Sequence, residues 1–379
     1  MAFTIDRVDV HQVAMPLLSP WRTSYGQDDS IHSLLVRVIS GDLEAWGEAT
    51  PFERPEYSSE WAHGGLDLLR SCLAPACVGI ELATARNVRA PLDRYKGNHF
   101  AKAALETACW ALEARLTGRS LRELLGGRRD AVEVGADFPV MDSFEELVAA
   151  IGGAVDEGFR RVKLKFRRGW DLPMLEVVRS HFPDLVVHVD CNNAFSLEDL
   201  DLLRGLDRFG LAMVEQPLHH DDLHHHAALA RMIETPICLD ESITTPARAR
   251  LAVELGSCRW VNIKPGRVGG LAAAVEVHDI LREAGIPCWV GGNLESAIGA
   301  SIATAFGTLD NFSYPADIFP TDRLYREDLA TPEVTFRRID GVPHAIPDDA
   351  SCARQPDPER LRRMSVGSAT VTSGQLATT

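Results

Sequence analysis

LVVHVDCNNAFSLEDLDLLRGLDRFGLAMVEQPLHHDDLHHHAALARMIETPICLD (185–240) holds the same unit three times. A short apolar, β-branched run ends in one acid: LVVHVD at Asp190, LAMVE at Glu215 and ICLD at Asp240. The acids fall 25 residues apart, with helical sequence between them. Runs of this length between helices read as buried strands of a parallel sheet joined by right-handed crossovers. The texture extends to Val132–Val140, Arg161–Phe166, Trp260–Gly266, Ile286–Gly292 and a weaker Asn311–Pro315. Helical stretches alternate with them, at Ser143–Glu157, Leu197–Leu206, Ala227–Ile233 and Leu271–Ala284. Eight strands across residues 131–330 predict an α/β fold, a (β/α)₈ TIM barrel. An open doubly wound sheet uses the same elements, but polar residues recur here at one end of the strands, as a barrel mouth requires.

Those strand ends carry the chemistry. Three carboxylates converging at one mouth repel one another unless a cation joins them, and hard oxygen donors suit Mg²⁺. A single acid before a helix is equally well a cap; three in successive strands are harder to read that way. In RVKLKF (161–166), Lys163 and Lys165 share a strand face, because side chains alternate. With Leu164 turned outward, both ammonium groups enter the barrel, where burial and like charge lower a lysine's pKa towards that of a useful base. The competing reading is a pair of surface lysines on an edge strand. Lys264 ends the run VNIKPG and faces that pair across the barrel. A carbon acid held between opposed lysines loses its proton to one and regains it from the other. Around this set lie Asn192, Glu241, Gly292, Asn293, Glu295 and Ser296 as candidate supporting or substrate-contacting residues. For Glu295 a helix N-terminal charge is the plainer alternative.

Residues 1–130 lack the repeat and read as an α+β domain: strands at Phe3–Val13 and Leu34–Ile39, a Pro- and Gly-bearing loop near 20–27, a helix over Ala101–Leu116 and a stop at Gly126-Gly127. Residues 331–365 are expected to pack back on this cap, and 366–379, poor in core-forming residues, to be a disordered tail. The chain of 379 residues has a formal net charge of −15, which argues against nucleic acid and anionic membrane as partners. Its eight cysteines form no CxxC pair and read as reduced thiols of a cytoplasmic protein. Neither a leader peptide nor an apolar run of the roughly 18 residues needed to span a membrane is evident. The histidines of HHDDLHHH (219–226) read as a solvated helix start, and a metal-dependent hydrolase would need its histidines at strand ends instead.

KLK (163–165), VDCNNAF (189–195), VEQPL (214–218), CLDES (238–242), NIKPGRVGG (262–270) and GGNLES (291–296) together resemble the enolase superfamily. More narrowly they resemble its muconate-lactonizing subgroup and, within that, the o-succinylbenzoate synthase / N-succinylamino acid racemase family. WRTSYG (21–26), WGEATP (46–51), YSSEW (57–61) and FAKAALETACWAL (100–112) fit as well. The resemblance implies a modified barrel under an N-terminal α+β cap, whose loop bearing Arg22, Ser24 and Tyr25 covers the substrate. It implies Mg²⁺, replaceable by Mn²⁺ or another divalent ion, on Asp190, Glu215 and Asp240. It implies Lys165 and Lys264 as the acid/base pair, with Lys163 tuning Lys165 and touching the substrate carboxylate. The segment PADIFPTDR (315–323) resembles a pocket motif of that family and brings in Asp317 and Phe319. The expected substrate is a small carboxylate and the expected assembly a homo-oligomer, a dimer or an octamer. The expected reaction is α-proton abstraction to an enolate, leading to N-acylamino acid racemisation or to dehydration to o-succinylbenzoate. Dipeptide epimerisation, cycloisomerisation and a non-catalytic binding barrel are the remaining readings. Arg167-Arg168 departs from the family pattern, as do Asn293, Cys191 and Asn193.

Overall fold

In the computed structural model, which describes residues 2–349 and 354–373, seven strands form one parallel sheet in chain order. They are Ala136–Phe138, Arg161–Lys165, Val186–Asp190, Val214–Glu215, Ile237–Leu239, Trp260–Ile263 and Cys288–Val290. The eighth position is not a regular strand. The segment around 312–316 closes the ring by two parallel bridges, Cys288 to Phe312 and Val134 to Ala316. Its proline, Pro315 (FSYPA, 312–316), explains the broken ladder, since proline donates no hydrogen bond. The expected single run Val132–Val140 also divides: Val132–Glu133 leaves the barrel and pairs with Val342–Ala345. Strand residues are almost all buried, as parallel strands covered by helices must be.

The interior of the barrel is layered. Met213, Cys238 and Trp289 form an apolar cluster, with Trp260 and Tyr314 against it. His188 stands above them, with its Nδ1 and the Tyr314 hydroxyl 3.0 Å apart. Burial lowers the imidazole's pKa and keeps it neutral. Over this aromatic floor lies a layer of polar side chains: Arg161, Lys163, Lys165, Asp190, Glu215, Asn262 and Lys264 are all buried.

The N-terminal cap is an antiparallel sheet of Arg7–Arg22, Gln27–Ser40 and Leu43–Ala49. The helix His99–Thr117 lies on it at close range: a Cβ on Gly47 would stand 2.4 Å from the Ala104 carbonyl oxygen. The first two strands run past the expected loop, so Arg22 pairs with Gln27 and residues 23–26 form the tip of a hairpin.

The C-terminal expectations need correction. The hairpin Arg337–Ile339 and Val342–Ala345 joins the barrel through Val132–Glu133, not the cap. Residues 366–372, expected to be disordered, belong to the edge strand Ser365–Thr372 on Arg7–Val13. Backbone pairing needs no apolar side chain. Val371 alone of this strand is buried, and Thr370 Oγ1 donates to Asp9 at 2.7 Å. The rest of the expected tail, 374–379, lies outside the described residues. The seven described cysteines are all free, and Cys352 is not among them. No described helix is long and apolar enough to cross a membrane.

Candidate active site

Parallel register places the site. Lys165 pairs with Asp190 across one strand boundary and Asp190 with Glu215 across the next, so the three stand at one level of the mouth. Beyond Glu215 the chain turns through Gln216 at φ 39°, and Asn192 and Asn193 take φ 42° and 66° after Asp190. Asparagine tolerates this left-handed conformation better than most residues. The Gln216 side chain accepts from the Asp240 and Ser242 backbone N–H groups at 3.0 and 3.1 Å, which ties two strand ends together.

Lys163 Nζ lies 3.0 Å from Asp190, 2.8 Å from Glu215 and 3.2 Å from Asp317. Burial alone would push this lysine's pKa down. Asp190, Glu215 and Asp317 outweigh burial and hold it well above the usual lysine value. These carboxylates act against the lowered pKa expected for Lys163 from burial. Lys165 Nζ donates to Asp190 at 2.8 Å and to Asn192 Oδ1 at 2.9 Å. Across the pocket, Lys264 Nζ donates to Asp240 at 2.9 Å and to the Tyr57 hydroxyl at 3.0 Å. Burial presses its pKa down, but Tyr57, Glu215 and Glu241 keep it above the ordinary value.

The three carboxylates differ in their supports. Burial and Asp190 push Glu215 up, yet Lys163 and His188 hold its pKa at about 2. Its Oε1 accepts from Asn262 at 2.7 Å. Its Oε2, although 2.8 Å from Lys163, has no hydrogen bond of proper geometry and is fully buried. A buried carboxylate oxygen left in this state is a ready ligand for a hard cation. Asp240 is gripped by Lys264 and by the buried guanidinium of Arg267. Asp190, Glu215 and Asp240 thus form an all-oxygen donor set that fits Mg²⁺, each oxygen group drawn towards a lysine or arginine. Among the described residues, the three whose ligand atoms already lie within 4.8 Å of one another are His219, His220 and Asp221, on the largely exposed loop after Leu218. The histidine-rich stretch is not uniformly solvated. His226 is fully buried, and its Nε2 accepts the Leu218 N–H at 3.2 Å.

Other expected residues divide. Tyr25, Asn192, Gly292, Asn293, Asp317 and Phe319 line a pocket of about 30 Å³ with the three lysines. Gly292 has to be glycine, since a Cβ would stand 2.4 Å from the Asp317 carbonyl oxygen. Glu241 reaches the pocket only through Asn192, which donates to it at 3.1 Å; burial and Asp190 raise its pKa to about 7. Four residues do not join. The Arg22 side chain pairs with Asp142 at the surface. Ser24 donates to the Asn192 carbonyl at 3.2 Å and faces a neighbouring cavity. Glu295 folds back to accept the Asn293 N–H at 2.8 Å, and Ser296 caps the helix Ala297–Phe306 and bonds Glu48. Tyr57, Arg267, Asn262, Asp137 and Trp21 are in or against the site without having been singled out. Arg267 sits three residues after Lys264 on a one-turn helix, and that i, i+3 spacing was the available signal. Tyr57 comes from the cap, within the YSSEW stretch (57–61).

The family models agree with this geometry. Residues 5–126 match the mandelate racemase / muconate lactonizing enzyme N-terminal domain, and residues 146–342 match the enolase C-terminal domain-like model. The chain belongs to the enolase superfamily. It is an enzyme of that superfamily, built as a modified TIM barrel beneath an α+β cap. It is 41% identical to an N-succinylamino acid racemase from Amycolatopsis, over 93% of this chain and 95% of the relative. It is 38% identical to an o-succinylbenzoate synthase from Geobacillus stearothermophilus, over 96% of each. A crystal structure of an enolase superfamily member from Listeria innocua overlays with a TM-score of 0.91 at 30% identity, covering 98% of this chain and 99% of that one.

Proposed function

We propose that this enolase superfamily enzyme is a Mg²⁺-dependent N-acylamino acid racemase, with N-succinylamino acids as substrates. The observation that carries the reading is the placing of Lys165 and Lys264 in one small pocket, held from different strands by different carboxylates. Asp190, Glu215 and Asp240 would hold the metal. A divalent ion there supplies the positive charge that steadies the substrate carboxylate as the α-carbon loses its proton. Lys163 contributes a fixed cation beside the same carboxylate. Lys165 takes the α-proton from one face; Lys264 delivers a proton to the other, and the inverted product leaves. The reverse direction exchanges their roles. The capping hairpin, with Trp21 and Tyr25 in the pocket wall, excludes water while the enolate exists. We place the enzyme in the cytoplasm as a homo-oligomer, a dimer or an octamer, on the resemblance and the free thiols.

Incubation of each enantiomer of an N-succinylamino acid in heavy water with Mg²⁺ tests the reading. Both should exchange the α-hydrogen and interconvert. Exchange absent for every N-acylamino acid tried would sink it. Dehydration to o-succinylbenzoate is the second reading, favoured by the high identity to synthases. There Lys165 removes the proton and Lys264 remains a cation throughout, so a cyclohexadiene carboxylate would turn over while N-succinylamino acids do not racemise.

A further inference from the structure

The loop HHDDLHHH (219–226) that follows Glu215 and Leu218 is held at both ends, yet three of its polar side chains have no part in holding it. At one end the buried His226 accepts the Leu218 N–H on Nε2 at 3.2 Å and donates from Nδ1 to the Asp222 carbonyl at 2.7 Å. From the helix Pro246–Leu255, Arg248 donates to the His220 carbonyl at 2.9 Å and to the Ser242 carbonyl at 3.2 Å. Asp222 caps the next helix and pairs with His225. His219, His220 and Asp221 remain, on a backbone that these contacts fix. One ring nitrogen of each histidine and one Asp221 carboxylate oxygen lie within 4.8 Å of one another. The two imidazoles stack, with centroids 4.3 Å and planes 29° apart. His220 Nε2 is 3.6 Å from Asp221 Oδ2, and no lysine or arginine among the described residues pairs with that carboxylate. The Asp221 N–H meets His219 Nδ1 at 3.3 Å, a long bond that an ion on the same nitrogen would displace.

We propose that His219, His220 and Asp221 form a second metal site, for a borderline transition ion of the Zn²⁺ or Ni²⁺ class, separate from the carboxylates that suit Mg²⁺. Two imidazoles and one carboxylate are donors that such ions favour, whereas Mg²⁺ prefers oxygen alone. Metal–ligand bonds of about 2.0–2.2 Å put tetrahedral donor pairs about 3.4 Å apart. The His220–Asp221 pair is already close to that span, and His219 closes on it by rotation of an exposed side chain. Three protein donors leave a coordination position for water. None of the three side chains lines the lysine pocket, so Mg²⁺-dependent turnover does not call on this ion. Its effect is on the loop. The Gln216 amide donates to the Leu218 carbonyl at 3.1 Å and to Ser242 Oγ at 2.8 Å, so an ion that clips residues 219–221 together also braces the join between two strand ends.

Calorimetric titration of Ni²⁺ into the full-length protein in excess Mg²⁺ tests the site. Glu215→Gln, which weakens the magnesium site, serves as the background, so that nickel taken up by the carboxylates is not counted. This protein should bind a single Ni²⁺ per chain. Adding His219→Ala together with His220→Ala should weaken that binding about tenfold or more, and adding Asp221→Asn alone should weaken it less. The replaced side chains lie at the surface, so the fold should be unaffected. A second measurement leaves Glu215 in place. In excess Mg²⁺, Ni²⁺ should raise the melting temperature of wild type more than that of the protein carrying His219→Ala and His220→Ala. The proposal is overturned if the Glu215→Gln protein binds no nickel, if the paired histidine replacement leaves its nickel affinity unchanged, or if nickel shifts both melting temperatures equally.

Discussion

The mouth and the floor of the barrel are built from the same strands and follow opposite rules. At the floor, Trp289, Met213 and Cys238 are buried with apolar neighbours, and burial lowers the pKa of the His188 imidazole, which meets the Tyr314 hydroxyl. At the mouth, further along the same strands, three lysines (Lys163, Lys165, Lys264), two arginines (Arg161, Arg267) and five carboxylates (Asp190, Glu215, Asp240, Glu241, Asp317) are buried together. Burying such charges is costly even when they are paired. The floor gives the fold its stability, and the mouth spends part of it to hold charges where a substrate will need them. Substitutions at the two levels should therefore separate activity from stability.

The largest effect is expected at the lysines. Lys165→Ala and Lys264→Ala should each lower racemisation by about 10²–10⁴-fold, the usual contribution of general acid–base catalysis, while the melting temperature changes little. Trp289→Ala should do the reverse: about 3–5 kcal/mol of stability lost in denaturant titration, with specific activity of the folded fraction largely kept. Glu215→Gln should weaken Mg²⁺ binding by tenfold or more in calorimetry, because the fully buried Oε2 becomes an amide nitrogen or a weaker acceptor. Tyr57→Phe removes a hydroxyl that accepts from Lys264 and donates to Asp240 at 3.3 Å. A hydrogen bond to a charged group contributes about 1.5–3 kcal/mol, so a loss of roughly ten- to hundredfold is expected on the steps that use Lys264. The smallest effect belongs to the exposed His219 and His220. Their double replacement by alanine should leave Mg²⁺-dependent exchange within twofold, and a larger loss would mean that the metal site has been placed on the wrong residues.

Much of this contrast is legible in the sequence. The acids at 25-residue intervals and the KLK alternation mark the mouth, because strand periodicity puts those side chains inside and the helices between them force a parallel sheet. What is not legible comes from contacts made across long stretches of chain. Tyr57 reaches Lys264 from the cap, and Arg267 reaches Asp240 through a one-turn helix. Glu295 and Ser296 carry suitable groups in a suitable place, yet backbone N–H groups and Glu48 claim them first. The edge strand Ser365–Thr372 hides because main-chain pairing leaves little trace in composition. The eighth barrel position is weak in the sequence and irregular in the fold for one reason, the proline within it.

The central claim is that Lys165 and Lys264 serve opposite faces of one α-carbon. Proton NMR in heavy water, with Mg²⁺ and each enantiomer of an N-succinylamino acid supplied separately, tests it most directly. Lys165→Ala should abolish exchange of one enantiomer and retain exchange without inversion of the other, and Lys264→Ala should show the mirror pattern. If either variant exchanges both enantiomers, or if both variants silence the same one, the two-faced arrangement is contradicted.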